Sequence, residues 1–133
     1  MRTPEWIDER DALVLHEKLV ILHGGSPGLR DGALLKSALA RPLQHHAYRP
    51  DEVDIVELAA LYTASVISNH PFVDGNKRTG FVIGILFLEL NGYRFGASEE
   101  TAAQAVIDLA GGKLNAAQYA AFLRANSKPA KSK

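Results

Sequence analysis

The sequence contains no cysteine, no excess charge of either sign and no long apolar run. Without cysteine it can form neither a disulfide framework nor a thiolate metal site, which fits a reducing compartment. Fifteen basic residues balance fifteen acidic ones, so no global field attracts nucleic acid or an anionic membrane. The longest apolar run, residues 80–88, is far shorter than the roughly 20 residues that cross a bilayer, and the N-terminus lacks a signal-peptide core. We therefore expect a cytoplasmic protein with no direct nucleic-acid or membrane partner.

A length of 133 residues predicts one domain that buries roughly two thirds of its unfolded surface. Apolar residues recur at helical spacing in several segments that capping or breaking residues separate. The first expected helix starts after Asp8 or Asp11 and runs to the glycines at 24 and 25, and the second runs from Asp31 to a break at Pro42. The next two run from Asp54 to about Asn69 and from about Asn76 to Leu90. The last two run from Ser98 to the glycines at 111 and 112 and from Asn115 onward. Residues 42–53 are expected to form an irregular loop or short hairpin, and residues 93–95 a brief strand.

These segments predict an all-α, single-domain bundle of about six helices around a buried central helix. The central helix is the one that contains the apolar run 80–88, because its apolar residues point in every direction. The domain should span residues 1–126. Residues 127–133 are basic and offer few apolar side chains, so we expect them to form a disordered tail.

The stretch His70-Pro-Phe-Val-Asp-Gly-Asn-Lys-Arg-Thr79 lies immediately before that apolar run. The N-terminus of a helix presents unpaired N–H groups and a positive dipole end, so acidic residues are expected there. Lys77 and Arg78 stand in the first turn instead, at a cost of about 0.3–1 kcal/mol each that a bound phosphate would reverse. Gly75 lets the backbone approach a ligand closely, and Asn76 can cap the helix or turn its amide toward a phosphate oxygen.

Asp74 and His70 add a carboxylate and a base to this loop. Asp74 is its only acid, and a carboxylate beside a phosphate is a ligand that Mg²⁺ favours. His70 suits general-base catalysis near neutral pH. Each feature has an ordinary explanation when taken alone: a histidine is favoured at a helix C-terminus, Asp-Gly-Asn is a common turn, and lysine or arginine is usually a solvated charge. Their coincidence at the end of the most apolar helix favours a phosphate-binding site with a metal ligand and a base.

The pattern His70-Pro-Phe-x-Asp-Gly-Asn-x-Arg78 resembles the signature of the Fic/Doc family. Residues 24–42, which begin Gly-Gly-Ser-Pro-Gly-Leu-Arg-Asp, and residues 87–92 are similar to its death-on-curing (Doc) toxin branch, so the resemblance covers nearly the whole chain. It implies a toxin of a toxin–antitoxin system that transfers the γ-phosphoryl of ATP to a hydroxyl of elongation factor Tu and arrests translation. It also implies the site residues: His70 as the base, Asp74 as the Mg²⁺ ligand, and Gly75, Asn76, Lys77 and Arg78 as the phosphate cradle.

Three positions bear on the branch of the family. Fic proteins that transfer AMP usually carry glycine where Lys77 stands and arginine where Phe81 stands, so both positions favour the Doc branch. Ser68, however, occupies a position where the best-known Doc-type motif carries arginine, and Arg30 or Arg41 would then have to supply a cation. Two alternatives stay open: transfer of AMP or another nucleotidyl group to a protein hydroxyl by the same loop, and a non-catalytic partner-binding module.

The chain contains no Ser/Thr-x-x-x-Glu-Gly/Asn motif, which marks the inhibitory helix of many Fic enzymes. Restraint should then come from a separate protein. The resemblance implies an antitoxin with a disordered segment that folds on the toxin, and such a segment requires an apolar groove between helices.

Four histidines lie outside the motif. His16 and His23 are spaced by seven and have apolar neighbours, so we expect them at the edge of the core rather than in a site. His45 and His46 are adjacent and cannot easily face one ion, and no acid or cysteine completes a site with them. They are expected to be loop residues.

Overall fold

The structure is a computed structural model that describes residues 3–130. Within that range the helices are α1 (Glu9–His23), α2 (Gly32–Tyr48), α3 (Ile55–Asn69), α4 (Asn76–Leu90), α5 (Glu99–Ala110) and α6 (Ala116–Ala125), and the strands are β1 (Tyr93–Phe95) and β2 (Ser127–Pro129). The predicted all-α fold and the brief strand at residues 93–95 are confirmed. No helix of residues 3–130 is both long enough and apolar enough to span a bilayer.

Most helices begin at a residue whose side chain accepts a hydrogen bond from the first turn, which satisfies an N–H group that has no helical partner. The caps of α1, α2, α3, α5 and α6 are Asp8, Asp31, Asp54, Ser98 and Asn115. The last four are the residues at which the sequence predicts these helices to begin, and Asp8 is one of the two candidates predicted for α1. The exception is α4, which follows a left-handed Gly75 and has no side-chain cap.

The core centres on α3 and α4, which pack together more extensively than any other pair of elements in the described chain. The helices approach closely at Gly84, where an added Cβ would lie 2.3 Å from Thr63 Oγ1 and 3.0 Å from the Ala59 carbonyl oxygen. Thr63 Oγ1 also donates a hydrogen bond to the Gly80 carbonyl at 2.8 Å. Small residues on α4 therefore allow the helix that follows the polar loop to sit directly against α3.

The predicted break at Pro42 and the predicted loop are wrong for residues 42–48, because α2 continues through Pro42 to Tyr48. Residues 49–53 are irregular, as predicted. A proline removes one helical donor and crowds the preceding turn, so the local sequence favours a break. Tertiary packing overrides that preference here. Pro42 is itself buried, His45 Nε2 lies 2.7 Å from the Glu57 carboxylate of α3, and His46 contacts the Trp6 ring edge-on at 5.5 Å.

The prediction of a disordered tail is wrong for residues 127–130. The strand Ser127–Pro129 pairs antiparallel with β1, with Tyr93 opposite Pro129, and the Ala130 N–H donates to the Gly92 carbonyl at 2.8 Å. Such pairing uses backbone groups and does not require apolar side chains, so composition could not predict it. Residues 131–133 of the predicted tail lie outside the described range.

Candidate active site

The loop of residues 70–75 joins α3 to α4 and turns at His70. His70 has φ 52° and ψ 53°, a left-handed conformation that costs a non-glycine residue roughly 1–2 kcal/mol. It is the only non-glycine residue of the described chain with positive φ. Arg30 stabilises the turn, since its Nε donates to the His70 carbonyl at 2.7 Å and its Nη2 to the Asn69 carbonyl at 3.1 Å. The turn projects the His70 side chain from the end of α3 into solvent.

The connection between α1 and α2 pairs with this loop through backbone hydrogen bonds. The N–H groups of Arg30 and Asp31 donate to the Pro71 carbonyl at 2.7 and 3.0 Å, and the Val73 N–H donates to the Gly28 carbonyl at 3.1 Å. These bonds hold the segment that follows the turn at His70. The loop is therefore braced by a distant segment of the sequence.

Asn76 does not cap α4, contrary to the prediction. Its side chain is buried, its Oδ1 accepts from the Phe72 N–H, and its Nδ2 donates to the Phe72 carbonyl, both at 2.9 Å. This pair of hydrogen bonds closes the loop over the buried Phe72 ring. Only the backbone N–H of Asn76 remains to interact with an anion.

Asp74 lies at the exposed end of the loop, where two backbone donors hold its carboxylate. The Ser26 N–H donates to Oδ2 at 3.1 Å and the Gly75 N–H to Oδ1 at 2.9 Å. These two bonds, first that from Ser26, lower the pKa of Asp74 from its ordinary value of 3.8, and the charge of Arg78 lowers it further. An added Cβ at Gly25 would lie 2.8 Å from Oδ2, so the carboxylate would have to shift if position 25 carried a side chain. Asp74 is ionised at neutral pH.

The N-terminus of α4 concentrates positive charge. Its first turn contains no acid, and Lys77 and Arg78 are both exposed. Because the helix begins at Asn76, these cations add to the positive end of the helix dipole, as the sequence predicts. Unpaired N–H groups, a positive dipole end and two exposed cations together favour an anion, and phosphate groups are the usual ligands of such helix starts.

These features open onto one cleft of about 470 Å³, a size typical of small-molecule sites. The cleft is lined by Ile67, His70, Asp74, Gly75, Asn76, Lys77, Arg78 and Ala110. All six residues that the sequence proposes for the site therefore border the same opening. Ile67 and Ala110 give it an apolar wall formed by α3 and the end of α5.

Neither arginine that was expected to compensate for Ser68 borders this cleft. The Arg30 guanidinium is bound to the two carbonyl oxygens at the end of α3. Arg41 lies exposed on α2 and forms none of the side-chain hydrogen bonds within residues 3–130. Ser68 is exposed. Among the residues that line the cleft, the cations are Lys77 and Arg78, besides the titratable His70.

His16 of α1 is part of the site, although sequence reasoning assigned it only to the edge of the core. The residue is 4% exposed, its ring stacks on Phe72 with centroids 3.9 Å apart and planes at 8°, and its Nε2 lies 2.8 Å from the Asp74 carbonyl oxygen. Helical periodicity predicts which face of α1 is buried, but it does not reveal which loop that face meets.

An apolar groove of about 710 Å³ begins where the cleft ends. It runs between α1, α4 and α5, and its apolar lining includes Leu19, Phe81, Val82, Ile85, Val106 and Ile107. Lys77 and Arg78 border the groove as well as the cleft. A molecule lying in the groove would therefore reach the cations of the loop.

Comparison with known proteins finds relatives that match most of this chain. A model of the Fic/DOC family matches residues 6–88. Protein kinase doc of Escherichia phage P1 is 30% identical over 118 residues, which cover 89% of this chain and 92% of the relative. Toxin Doc of Mycolicibacterium smegmatis is 37% identical over 94 residues, or 70% of this chain and 69% of the relative.

A solved structure supports the fold. It is the N-terminal Fic domain of a VirB-translocated Bep effector protein from Bartonella quintana, determined with bound ADP. The TM-score is 0.50 at 19% identity, and the match covers 75% of this chain and 50% of that chain. This chain thus spans half the length of that protein, and the likeness shows a shared fold.

Proposed function

This chain belongs to the Fic/Doc family, and on that basis we propose that it is a Doc-type toxin that uses ATP to phosphorylate a hydroxyl of a protein target. The names of its relatives support the proposal, since one is called a protein kinase and the other a toxin. The observation that carries it is the N-terminus of α4, where two cations and uncapped N–H groups lie beside Asp74. That arrangement suits a polyphosphate, and the ADP bound to the Bartonella Fic domain agrees with a nucleotide.

In the proposed reaction, His70 acts as the general base for a serine or threonine hydroxyl of the target. The hydroxyl oxygen forms a bond to the γ-phosphorus of ATP as its proton passes to the His70 imidazole, and the bond from the γ-phosphorus to the bridging oxygen breaks to release ADP. Lys77, Arg78 and the N–H groups at the start of α4 neutralise charge on the phosphates. Phosphoryl transfer depends mainly on such positioning and charge compensation.

Asp74 is suited to hold Mg²⁺. Its lowered pKa keeps it ionised, each carboxylate oxygen accepts one backbone bond, and every carboxylate oxygen has a second lone pair for a metal. Mg²⁺ commonly takes one or two carboxylates together with phosphate oxygens and water. When bound, it would neutralise negative charge on the nucleotide and orient it along the loop.

Transfer of the γ-phosphoryl group is favoured over transfer of AMP by two positions. Phe81 occupies the place of a second arginine, and its ring packs edge-on against Phe95 at 5.9 Å, so this part of α4 offers no cation to a nucleotide. Lys77 stands where AMP-transferring relatives usually carry glycine. Both support a nucleotide whose terminal phosphate points toward His70, and AMP transfer is the second candidate.

Elongation factor Tu is the proposed target because the Doc branch implies it. Translation would stop when that factor is phosphorylated. The exposed position of His70 at the rim of the cleft supports a protein substrate, because a hydroxyl on a folded surface or loop can reach it.

The proposed partner is an antitoxin with a segment that folds on this protein. The apolar groove between α1, α4 and α5 would receive the apolar face of such a segment, as helix-in-groove complexes do. Because Lys77 and Arg78 border the groove as well as the cleft, an acidic end of that segment would neutralise the cations that bind phosphate. Partner binding would then inhibit phosphate binding while the enzyme stays folded.

Nucleotide binding tests the proposal most simply. Asp74→Ala is expected to weaken Mg²⁺-dependent ATP binding by at least about tenfold, since it removes a charged ligand, while circular dichroism shows unchanged helix content. Asp51→Ala is the control, because Asp51 is exposed in a turn and forms none of the side-chain hydrogen bonds within residues 3–130. Equal affinity in the two variants would refute the metal assignment.

Growth arrest tests whether the chain is an enzyme or a binding module. We expect His70→Ala to remove the growth arrest caused by expression of the parent protein, because the hydroxyl would lose its base. A non-catalytic binding module would arrest growth equally with or without His70.

A further inference from the structure

We propose that His16 is a positioning residue, which holds the peptide between Asp74 and Gly75 so that the Gly75 N–H faces the cleft. The inference rests on the proposed function, since this N–H holds the carboxylate that is proposed to bind Mg²⁺. It concerns a residue of α1 that lies 58 positions before Asp74 in the sequence and outside the motif.

The contact defines the hydrogen on the His16 ring. A carbonyl oxygen can only accept, so the Nε2 atom at 2.8 Å from the Asp74 oxygen must carry the hydrogen and donate it. Both the neutral Nε2–H form and the protonated form of the ring satisfy this bond.

The ring is held rigidly. It lies parallel to Phe72 at 3.9 Å, and Phe72 is fully buried with its backbone N–H and carbonyl both bound by Asn76. An added Cβ at Gly75 would be 3.8 Å from His16 Nε2, so the ring also packs against the loop at Gly75. His16 therefore connects α1 to the loop through a ring that packing on Phe72 holds in place.

The geometry of a trans peptide transmits this restraint to the cleft. The C=O and N–H of one peptide point in opposite directions, and the peptides of the described chain are trans. With the Asp74 carbonyl directed down to His16, the Gly75 N–H must point to the other side, where it donates to Asp74 Oδ1 at 2.9 Å. Gly75 and Asp74 both line the cleft there. His16 thus orients the N–H donor that holds the proposed metal-binding carboxylate.

The base is positioned separately. The His70 carbonyl is held by Arg30 and forms no hydrogen bond with His16 within residues 3–130. Loss of the His16 donor should then weaken nucleotide binding and leave the chemical step nearly intact. A general loss of stability would not weaken binding while sparing the chemical step.

Two variants of His16 and one control test the proposal. His16→Phe keeps a flat ring on Phe72 and removes the donor, whereas His16→Gln keeps an N–H donor. His23→Phe places the same change at an exposed position on the same helix. We expect His16→Phe to raise the dissociation constant for ADP with Mg²⁺ by about tenfold or more and to change kcat by less than about twofold. His16→Gln should recover at least half of the lost binding free energy, and His23→Phe should match the parent.

Two kinetic outcomes would overturn the proposal: unchanged affinity in His16→Phe, or a fall in kcat with unchanged affinity. A third is equal loss in the Phe and Gln variants, because the donor would then not matter.

An NMR measurement without nucleotide separates the proposal from the proposed function. In the parent protein we expect the ¹⁵N spectrum of His16 to show hydrogen on Nε2, and the Gly75 amide to shift in His16→Phe but not in His23→Phe. If the parent binds no nucleotide while these shifts occur, the proposed function fails and the positioning role stands. An unchanged Gly75 amide in His16→Phe rejects the positioning role whatever the protein binds.

Discussion

Asp74 is kept ionised chiefly by backbone N–H groups rather than by a paired cation. The bonds from Ser26 and Gly75 contribute most to its lowered pKa, and the charge of Arg78 contributes less. Within residues 3–130, neither Lys77 nor Arg78 forms a salt bridge with Asp74. A phosphate entering the cleft would meet Lys77 and Arg78 in solvent-exposed positions, ready to bind.

The lowered pKa of Asp74 predicts a pH dependence with a definite sign. A carboxylate with a depressed pKa in the folded state stabilises the fold above its ordinary pKa of 3.8, and that contribution is lost as the pH falls through the lower, folded value. Asp74→Asn should therefore be less stable than the parent at pH 7, and the difference should close below about pH 3.8. Urea unfolding at several pH values measures this. Asp51→Asn should match the parent at pH 7, and a gap for Asp74→Asn that widens on acidification would contradict the assignment.

Arg30 offers a second test at the scale of one residue. Arg30→Met removes both bonds to the carbonyls at the end of α3, so the left-handed turn at His70 loses its restraint. We expect kcat to fall by about tenfold or more, since small displacements of a catalytic group are costly, with KM changed by less than about twofold. Steady-state kinetics measure both values. Arg41→Met is the matched control, and an equal effect of the two changes would show that Arg30 acts only through net charge.

Sequence reasoning predicted the residues of the loop better than their individual contacts. The motif and the electrostatics of the helix start identified Asp74, Lys77 and Arg78, and these do border one cleft. The predicted cap at Asn76 is wrong because its side chain can bond either the start of α4 or the loop backbone, and only the folded loop decides between them. His16 was missed because its partner, the Asp74 carbonyl, is a backbone group that any residue would supply.

At the scale of secondary structure, close packing of α4 on α3 positions the loop. Gly84→Ala should destabilise the fold by about 1–3 kcal/mol, although alanine is the better helix former by about 1 kcal/mol. The reason is that the new methyl would lie 2.3 Å from Thr63 Oγ1. Urea unfolding measures the change in free energy.

Gly96→Ala is the control for this change, because its Cβ would meet only the Asn126 carbonyl at 3.9 Å. It should alter the stability by less than about 0.5 kcal/mol. If Gly84→Ala were as stable as the parent, α3 and α4 could separate at little cost.

The predicted element boundaries succeeded where a local signal decides them and failed where distant packing does. Side-chain caps such as Asp54 and Asn115 act within one turn of their helix, so they can be recognised from the sequence. The continuation of α2 past Pro42 and the pairing of β2 with β1 depend on partners far along the chain. A single sequence contains no local sign of either.

At the scale of the whole molecule, Tyr62 attaches the N-terminal segment to the core. Its hydroxyl accepts from the Ile7 N–H at 3.0 Å and lies 3.3 Å from the Ile7 carbonyl, to which it donates. Tyr62→Phe should lower the free energy of unfolding by about 1–2 kcal/mol at pH 7. Tyr48 is exposed on α2 and forms none of the side-chain hydrogen bonds within residues 3–130, so Tyr48→Phe should change that free energy by less than about 0.5 kcal/mol. Urea unfolding of the two variants tests the contrast.

Burial raises the pKa of Tyr62 to about 12. A raised pKa means that the buried, neutral phenol stabilises the fold below its unfolded pKa of about 10 and loses that effect as the pH rises toward the folded value. The difference between the parent and Tyr62→Phe should therefore shrink above pH 10. A constant difference up to pH 12 would contradict this prediction.

The central claim is that the loop between α3 and α4 transfers the γ-phosphoryl group of ATP to a protein. Incubation of the protein with a bacterial lysate and ATP labelled at either the γ or the α phosphate tests it most directly, with His70→Ala as the inactive control. We predict that the γ label alone enters protein, in a band of the size of elongation factor Tu, and that His70→Ala abolishes this incorporation. Incorporation of the α label alone would contradict the claim and identify a nucleotidyl transferase.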